Sequence, residues 1–181
     1  MEYVESPSVV TGPQPRVFLG GGITGCEDWQ DVVRRKLENE KKGTLVNPRQ
    51  AVWPDDHTQT VKDQIAWEFQ NLHASNVVSM WFCKASVQPI GMFELGALLT
   101  RFRNKDMSLR VLVLGVHPDY VRKFDIDSQV ELVMSSVGAH ARKRFLQSDN
   151  LEDHIKNIGI ALKMSSRMNA ASVLAEERRT L

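Results

Sequence analysis

A glutamate lies between two glycines in Pro89-Ile90-Gly91-Met92-Phe93-Glu94-Leu95-Gly96. An apolar run, Val77 to Phe82, precedes it and reads as a buried strand; Ala97-Leu98-Leu99 follows it and reads as a helix. The carboxylate is therefore expected where a strand tip gives way to a helix start. The partial positive charge of a helix N-terminus favours an ionised carboxylate. The carboxyl ends of parallel strands are also where ligands bind in open α/β sheets. Glu94 is thus the leading candidate for a chemical centre, set against the plainer readings of a helix cap or a partner for a nearby arginine.

A second candidate is the glycine loop. Gly20-x-Gly22-x-x-Gly25 follows the short apolar stretch Arg16 to Leu19 and precedes a helical pattern, which is the context a dinucleotide fingerprint requires. That fingerprint also asks for an acid at the end of the second strand to hold a ribose hydroxyl. The position holds Asn47-Pro48-Arg49 instead; Arg49 is the group there that would meet a 2'-phosphate, so an NADP-binding protein stays open as a reading. Otherwise the loop is a tight turn, or one whose bare backbone lets a sugar or phosphate come close at Gly21 and Gly22.

The elements that must position these groups alternate. After Arg16 to Leu19, a helix is predicted from about Glu27 to Lys41, with Trp29, Val32, Val33 and Leu37 on one face and Asp28 or Thr24 as cap. Thr44 to Asn47 is a strand, followed by a polar loop with Trp53, Asp55 and Asp56. A helix over about Thr58 to Ala74 puts Ile65, Phe69 and Leu72 on an apolar stripe and Gln64 and Glu68 together at i,i+4. Beyond the Glu94 segment come a strand at Leu109 to Gly115, a helix from Ser128 to Val137, a short strand at 142–146 and a last helix from Leu151 to about Met164. This alternation predicts parallel βαβ units in an α/β three-layer sandwich of about five strands. Residues 1–15, rich in Pro, Ser, Gly and Thr, read as a mobile arm, 16–165 as one domain and 166–181 as a polar tail.

Composition narrows the partners. The 181 residues carry a net charge of +1, which gives no reason to expect a nucleic-acid polymer or a membrane surface. No apolar run approaches the roughly 18 residues of a membrane span, and residues 1–15 lack the pattern of a signal peptide. The two cysteines, Cys26 and Cys83, have no spacing that suggests a disulfide framework or metal clip, so a reducing cytosol is the simplest compartment. The five histidines lack metal-ligand spacing, and neither metal nor cofactor is expected.

Taken jointly, the segments Val17 to Ile23 with Trp29-Gln30, Val46 to Arg49, Gln64 to Glu68, Met80 to Phe82 and Pro89 to Gly96 resemble the nucleoside 2-deoxyribosyltransferase family, in its broad deoxyribosyltransferase-like branch, across about residues 16 to 127. The resemblance implies a flavodoxin-like parallel sheet, with the 2-1-3-4-5 strand order typical of such folds, and cleavage or exchange of the N-glycosidic bond of a 2-deoxyribonucleoside or its monophosphate. Mapped by motif, Glu94 would attack the anomeric carbon, a covalent deoxyribosyl-enzyme would form, and a second base or water would resolve it. Displacement at such a carbon needs an ionised carboxylate, as in retaining glycosidases. The resemblance also implies small-molecule partners, nucleoside or nucleotide and free nucleobase, and a homo-oligomer.

Two departures bear on the leaving base. The family often carries an aspartate where this chain has Asn76, and an amide cannot protonate a base at neutral pH. The segment Cys83 to Gln88 also lacks an acid. Leaving-group help then falls to Asp28, Asp55, Asp56, Glu68 or water. Asp28 is equally a candidate for a ribose hydroxyl and Trp53 for stacking on a base. Gly91 lies in the Glu94 motif, and Asp127 ends a segment, Tyr120 to Asp127, that resembles one near the family's sugar or phosphate site; Arg122 and Lys123 there are candidates for a 5'-phosphate. A nucleotide-binding or regulatory module that kept the fold and lost turnover is the competing function.

Overall fold

The computed structural model describes residues 1–40, 42–50 and 59–177, with side chains through residue 171. Six strands form one parallel sheet: β1 (Glu2–Glu5), β2 (Arg16–Gly21), β3 (Thr44–Asn47), β4 (Val77–Phe82), β5 (Val111–Val116) and β6 (Phe145–Ser148). Their order is β1-β3-β2-β4-β5-β6. Leaving β1 aside, this is the expected 2-1-3-4-5 arrangement, so β2 and β4 lie side by side at the centre, where the strand order reverses.

Strand periodicity sorts the core into two layers. Along β4, Val78, Met80 and Phe82 face one way and join Phe18, Leu112 and Leu114 under α2 (Gln59–Ala74), α3 (Pro89–Arg103), α4 (Lys123–Ser136) and α5 (Ala139–Arg142). Val77 and Trp81 face the other way and join Val17, Leu19 and Val113 under α1 (Trp29–Leu37) and α6 (Leu151–Glu177). Central strands apolar on both faces are what a sheet covered on both sides demands. Each large side chain fully buried in these layers contributes about 1.5–3 kcal/mol.

Five expectations are corrected. The stretch 1–15 is not a free arm throughout: Glu2–Glu5 pairs with β3 as a sixth strand, where about five are predicted. Helix α4 begins at Lys123 rather than Ser128, and β6 lies at 145–148 rather than 142–146. Helix α6 runs on to Glu177 through much of the predicted tail. Finally, Cys26 and Cys83, 57 residues apart, form a disulfide with a Cα–Cα distance of 6.3 Å, inside the normal span for such a bond. Among the described residues, no helix is long and apolar enough to cross a membrane.

Candidate active site

At the carboxyl ends of β2 and β4 the chain leaves the sheet in two loops that touch. Gly21 has φ +117°, and a Cβ there would lie 2.2 Å from the Trp81 carbonyl oxygen, so no side chain fits. The amide of Gly22 donates to that carbonyl at 2.9 Å. From the other side, Gly91 in the first turn of α3 sits where an added Cβ would be 3.7 Å from the Gly21 Cα. Gly21 is thus the position where a strand end must stay bare to pack on the neighbouring strand, and the start of α3 rests against it at ordinary contact distance. Gln88 caps α3 in the left-handed region (φ 52°), and its Nε2 donates to the carbonyls of Cys83 at 2.8 Å and Ser86 at 3.1 Å. The disulfide ties the same two loops together.

Between these loops and α2 opens a cavity of about 790 Å³. Gly20 and Gly21 form its floor, α2 one wall and α3 the other. Glu68 projects from α2 and Glu94 from α3, and both line it. Burial pushes the Glu94 carboxyl up to about 7, and the neighbouring Glu68 charge adds to the rise. Burial also raises Glu68, opposed by the hydrogen bond that Gln64 Nε2 donates to its Oε1 at 2.6 Å. This corrects the expected electrostatics. Glu94 is the sixth residue of α3, a turn past its N-terminus, and desolvation outweighs the dipole, whose influence fades within the first turn. Among the described residues no Lys or Arg lines the cavity, so burial acts on both carboxyls and the Glu68 charge on Glu94 with no cation there to offset them.

The remaining predicted residues divide. Gly21, Gly91, Glu68 and Glu94 come together in the cavity, and Gly22 lies beside it, packed on Cys26 and Gln88. Asp28 accepts from the Asp31 amide at 3.0 Å as the cap of α1 and pairs with Arg49 at 3.4 Å. Arg49 is held in addition by Gln30 and by the carbonyls of Cys26 and Glu27, which occupies the group that a 2'-phosphate would need. Asn47 is buried in a structural role, donating to Tyr3 Oη at 2.7 Å and accepting from the Arg49 amide. Asn76 precedes β4 and its carbonyl accepts from Arg110 and Val111. It stands at the amino end of a six-residue strand, about 20 Å along the chain from the cavity end. Asp127 is outside the cavity, paired with Lys123 at 2.6 Å and hydrogen-bonded by Gln147; Arg122 pairs with Asp125. Trp53, Asp55 and Asp56 lie outside the described residues.

Sequence periodicity misplaced part of the wall. Ile65 and Phe69, expected in the core, are 60% and 64% exposed and line the cavity, as do Ile90 and Phe93 on α3. Their excess over what the core could absorb was the available signal: α2 carries more apolar side chains than its single buried one, Leu72, requires. Ser86 and Gln88 also line the cavity, and nothing in their types announced it. Among the described residues, no Lys or Arg does so, and no group of His, Cys, Asp and Glu could hold a metal ion.

Against known proteins, residues 14–109, just over half of the chain, match a family model described as nucleoside 2-deoxyribosyltransferase like. No curated protein matches the chain.

Proposed function

Since this chain belongs to the nucleoside 2-deoxyribosyltransferase-like family, we propose that it cleaves or exchanges the N-glycosidic bond of a 2-deoxyribonucleoside in the cavity between α2 and α3, with Glu94 as the nucleophile. The observation that carries this reading is a pair of carboxyls, Glu94 and Glu68, on opposite walls of one apolar cavity and electrically coupled. In the reaction, ionised Glu94 bonds to the anomeric carbon. The bond from that carbon to the base breaks, and its electron pair leaves with the base. Glu68 in its protonated form supplies the proton that the departing nitrogen takes up. Water or a second base, giving its proton back to Glu68, then displaces Glu94 from the sugar.

A carboxyl that titrates near neutrality suits this cycle, since both protonation states are within reach at working pH. Burial supports catalysis as well: a charge developing on the sugar is stabilised more by Glu94 in an apolar cavity than in water. The lack of any described Lys or Arg on the wall favours an unphosphorylated nucleoside over its monophosphate, because two carboxylates repel a phosphate dianion. The competing module without turnover drew on Asn76 in place of an acid. Asn76 stands at the far end of β4 and Glu68 lines the cavity, so that objection loses its ground.

The test is incubation with a panel of 2-deoxyribonucleosides and their monophosphates, with and without a second free base, followed by chromatographic separation. Base exchange identifies a transferase and free sugar a hydrolase. Binding by calorimetry with no base released on long incubation would replace this reading with the binding module.

A further inference from the structure

The N-terminal strand lies outside the residues that match the family, yet it reaches the candidate site. Just past β1, Ser6 is buried and its hydroxyl donates to Gln64 Oε1, as does the Gln50 Nε2. Gln50 Nε2 also donates to Ser6 Oγ at 3.2 Å. On the other end of the same amide, Gln64 Nε2 donates to the Pro48 carbonyl at 3.0 Å and to Glu68 Oε1 at 2.6 Å. Gln64 is 3% exposed and all of its side-chain hydrogen bonds go to protein groups. None is left for a substrate.

This saturation fixes which way the amide points. Flipping it would set its oxygen against the Pro48 carbonyl and the Glu68 carboxylate, which only accept; the Ser6 hydroxyl and the Gln50 amide can reorient, but the Pro48 carbonyl cannot. The flipped state loses the bonds of a buried amide and is excluded by their cost. Glu68 therefore always meets an N–H, which favours its charged form. Among the described residues, Glu94 meets no such donor, and the other titratable group on the cavity wall is His73, whose Nδ1–H donates to Phe69 O at 2.7 Å. Around the network, Glu5 accepts from Tyr3 and Arg49 is held by Gln30 and Asp28.

We propose that Gln64, locked by Ser6, Gln50 and Pro48, is a positioning residue that keeps Glu68 the charged member of the pair and leaves their shared proton on Glu94 while the cavity is empty. The N-terminal segment thereby sets the resting state of the site. The nucleophile stays capped until a bound base, drawing on Glu68, pulls the proton across. The catalytic meaning of this arrangement rests on the function proposed above; the placement of the proton does not.

The test is titration of the carboxyl carbons of Glu68 and Glu94 by NMR in the full chain, for wild type, Gln64→Met and Ser6→Ala. In wild type, Glu94 should hold its proton to higher pH than Glu68. In Gln64→Met the Glu68 titration should move up and the Glu94 titration down, so that the two exchange order. Ser6→Ala should shift both in the same directions by less. In an active enzyme the acid limb of kcat/KM should move with Glu94. Wild-type order reversed from the start, or both carboxyls titrating in Ser6→Ala and any folded Gln64→Met as they do in wild type, overturns the inference. If the titrations shift but wild type releases no base from any nucleoside, the network stands and the proposed function falls.

Discussion

Among the described residues, two regions of this molecule bury a titratable side chain with no opposite charge beside it, and they do so differently. On the α6 side, His154 is fully buried against Trp29 and Trp81. Ser79 Oγ meets its Nε2 at 2.8 Å and Ser148 Oγ its Nδ1 at 3.3 Å. Burial lowers it to about 3, so it is neutral at any ordinary pH. On the α2–α3 side, Glu94 is half-buried, raised to about 7, and faces a second carboxyl across an open cavity. A perturbed ionisation marks both. What separates a packing device from a chemical one is access and a titratable partner, and only the carboxyl pair has both.

The contrast is broken most directly by Glu94→Gln. That variant should lower base release by at least about 10³-fold, the scale of losing a nucleophile, and leave the fold intact. His154→Gln should leave kcat within a few-fold and act on stability. Equal rates for wild type and Glu94→Gln would remove Glu94 from the chemistry.

Glu68→Gln is the next largest effect. Loss of an acid that protonates the leaving base typically costs about 10²- to 10⁴-fold. A base that leaves easily without a proton should lose least, so the deficit should depend on the base. The same variant removes the charge that helps hold the Glu94 proton, so Glu94 should titrate lower. A deficit equal for every base would show that Glu68 shapes the cavity and does not handle the proton.

The third is the bridge between Cys26 and Cys83, which joins the two loops of the carboxylate site. Closing a loop of this length stabilises a fold by about 2–4 kcal/mol. Reduction, or Cys83→Ser, should lower the midpoint of denaturation accordingly and weaken nucleoside binding. Coincident denaturation curves with and without reductant would show that the bond is not formed in solution.

How much of this was legible in the chain follows the same division. Strand and helix alternation and the place of Glu94 at the start of a helix after a strand follow from local patterns in residues 16 to 127, and the strand order from the family resemblance those patterns carry. The Gln64–Glu68 contact follows from their four-residue spacing on α2. The role of Asn76 was misjudged, although strand direction alone places a residue that precedes β4 at the end away from the site. Other features are non-local and carry no pattern. Cys26 meets Cys83 only because β2 and β4 are neighbours, and Glu2–Glu5 becomes a strand only because β3 offers an open edge. The dominance of desolvation over the helix dipole at Glu94 required the depth of the cavity, which no spacing encodes.

The smallest effect sets the two regions against each other in one measurement. Unfolded histidine titrates near 6.5 and His154 at about 3 in the fold, so between those values the unfolded chain binds the extra proton. Stability supplied by His154 is therefore lost as pH falls from about 6.5 towards 3. For Glu94, 4.5 in the unfolded chain rises to about 7, so the folded chain binds the extra proton, and its contribution is lost as pH rises through that range. From about pH 4.5 to 6.5 the two slopes oppose, each at most about 1.4 kcal/mol per pH unit, and the net dependence of wild type should be shallow. Glu94→Gln should make stability climb more steeply with pH across this window, and His154→Gln should make it decline. Denaturant midpoints at three pH values decide the matter: a variant whose slope matches wild type identifies a group that exchanges no proton on unfolding, and the contrast drawn between the two regions would then rest on packing alone.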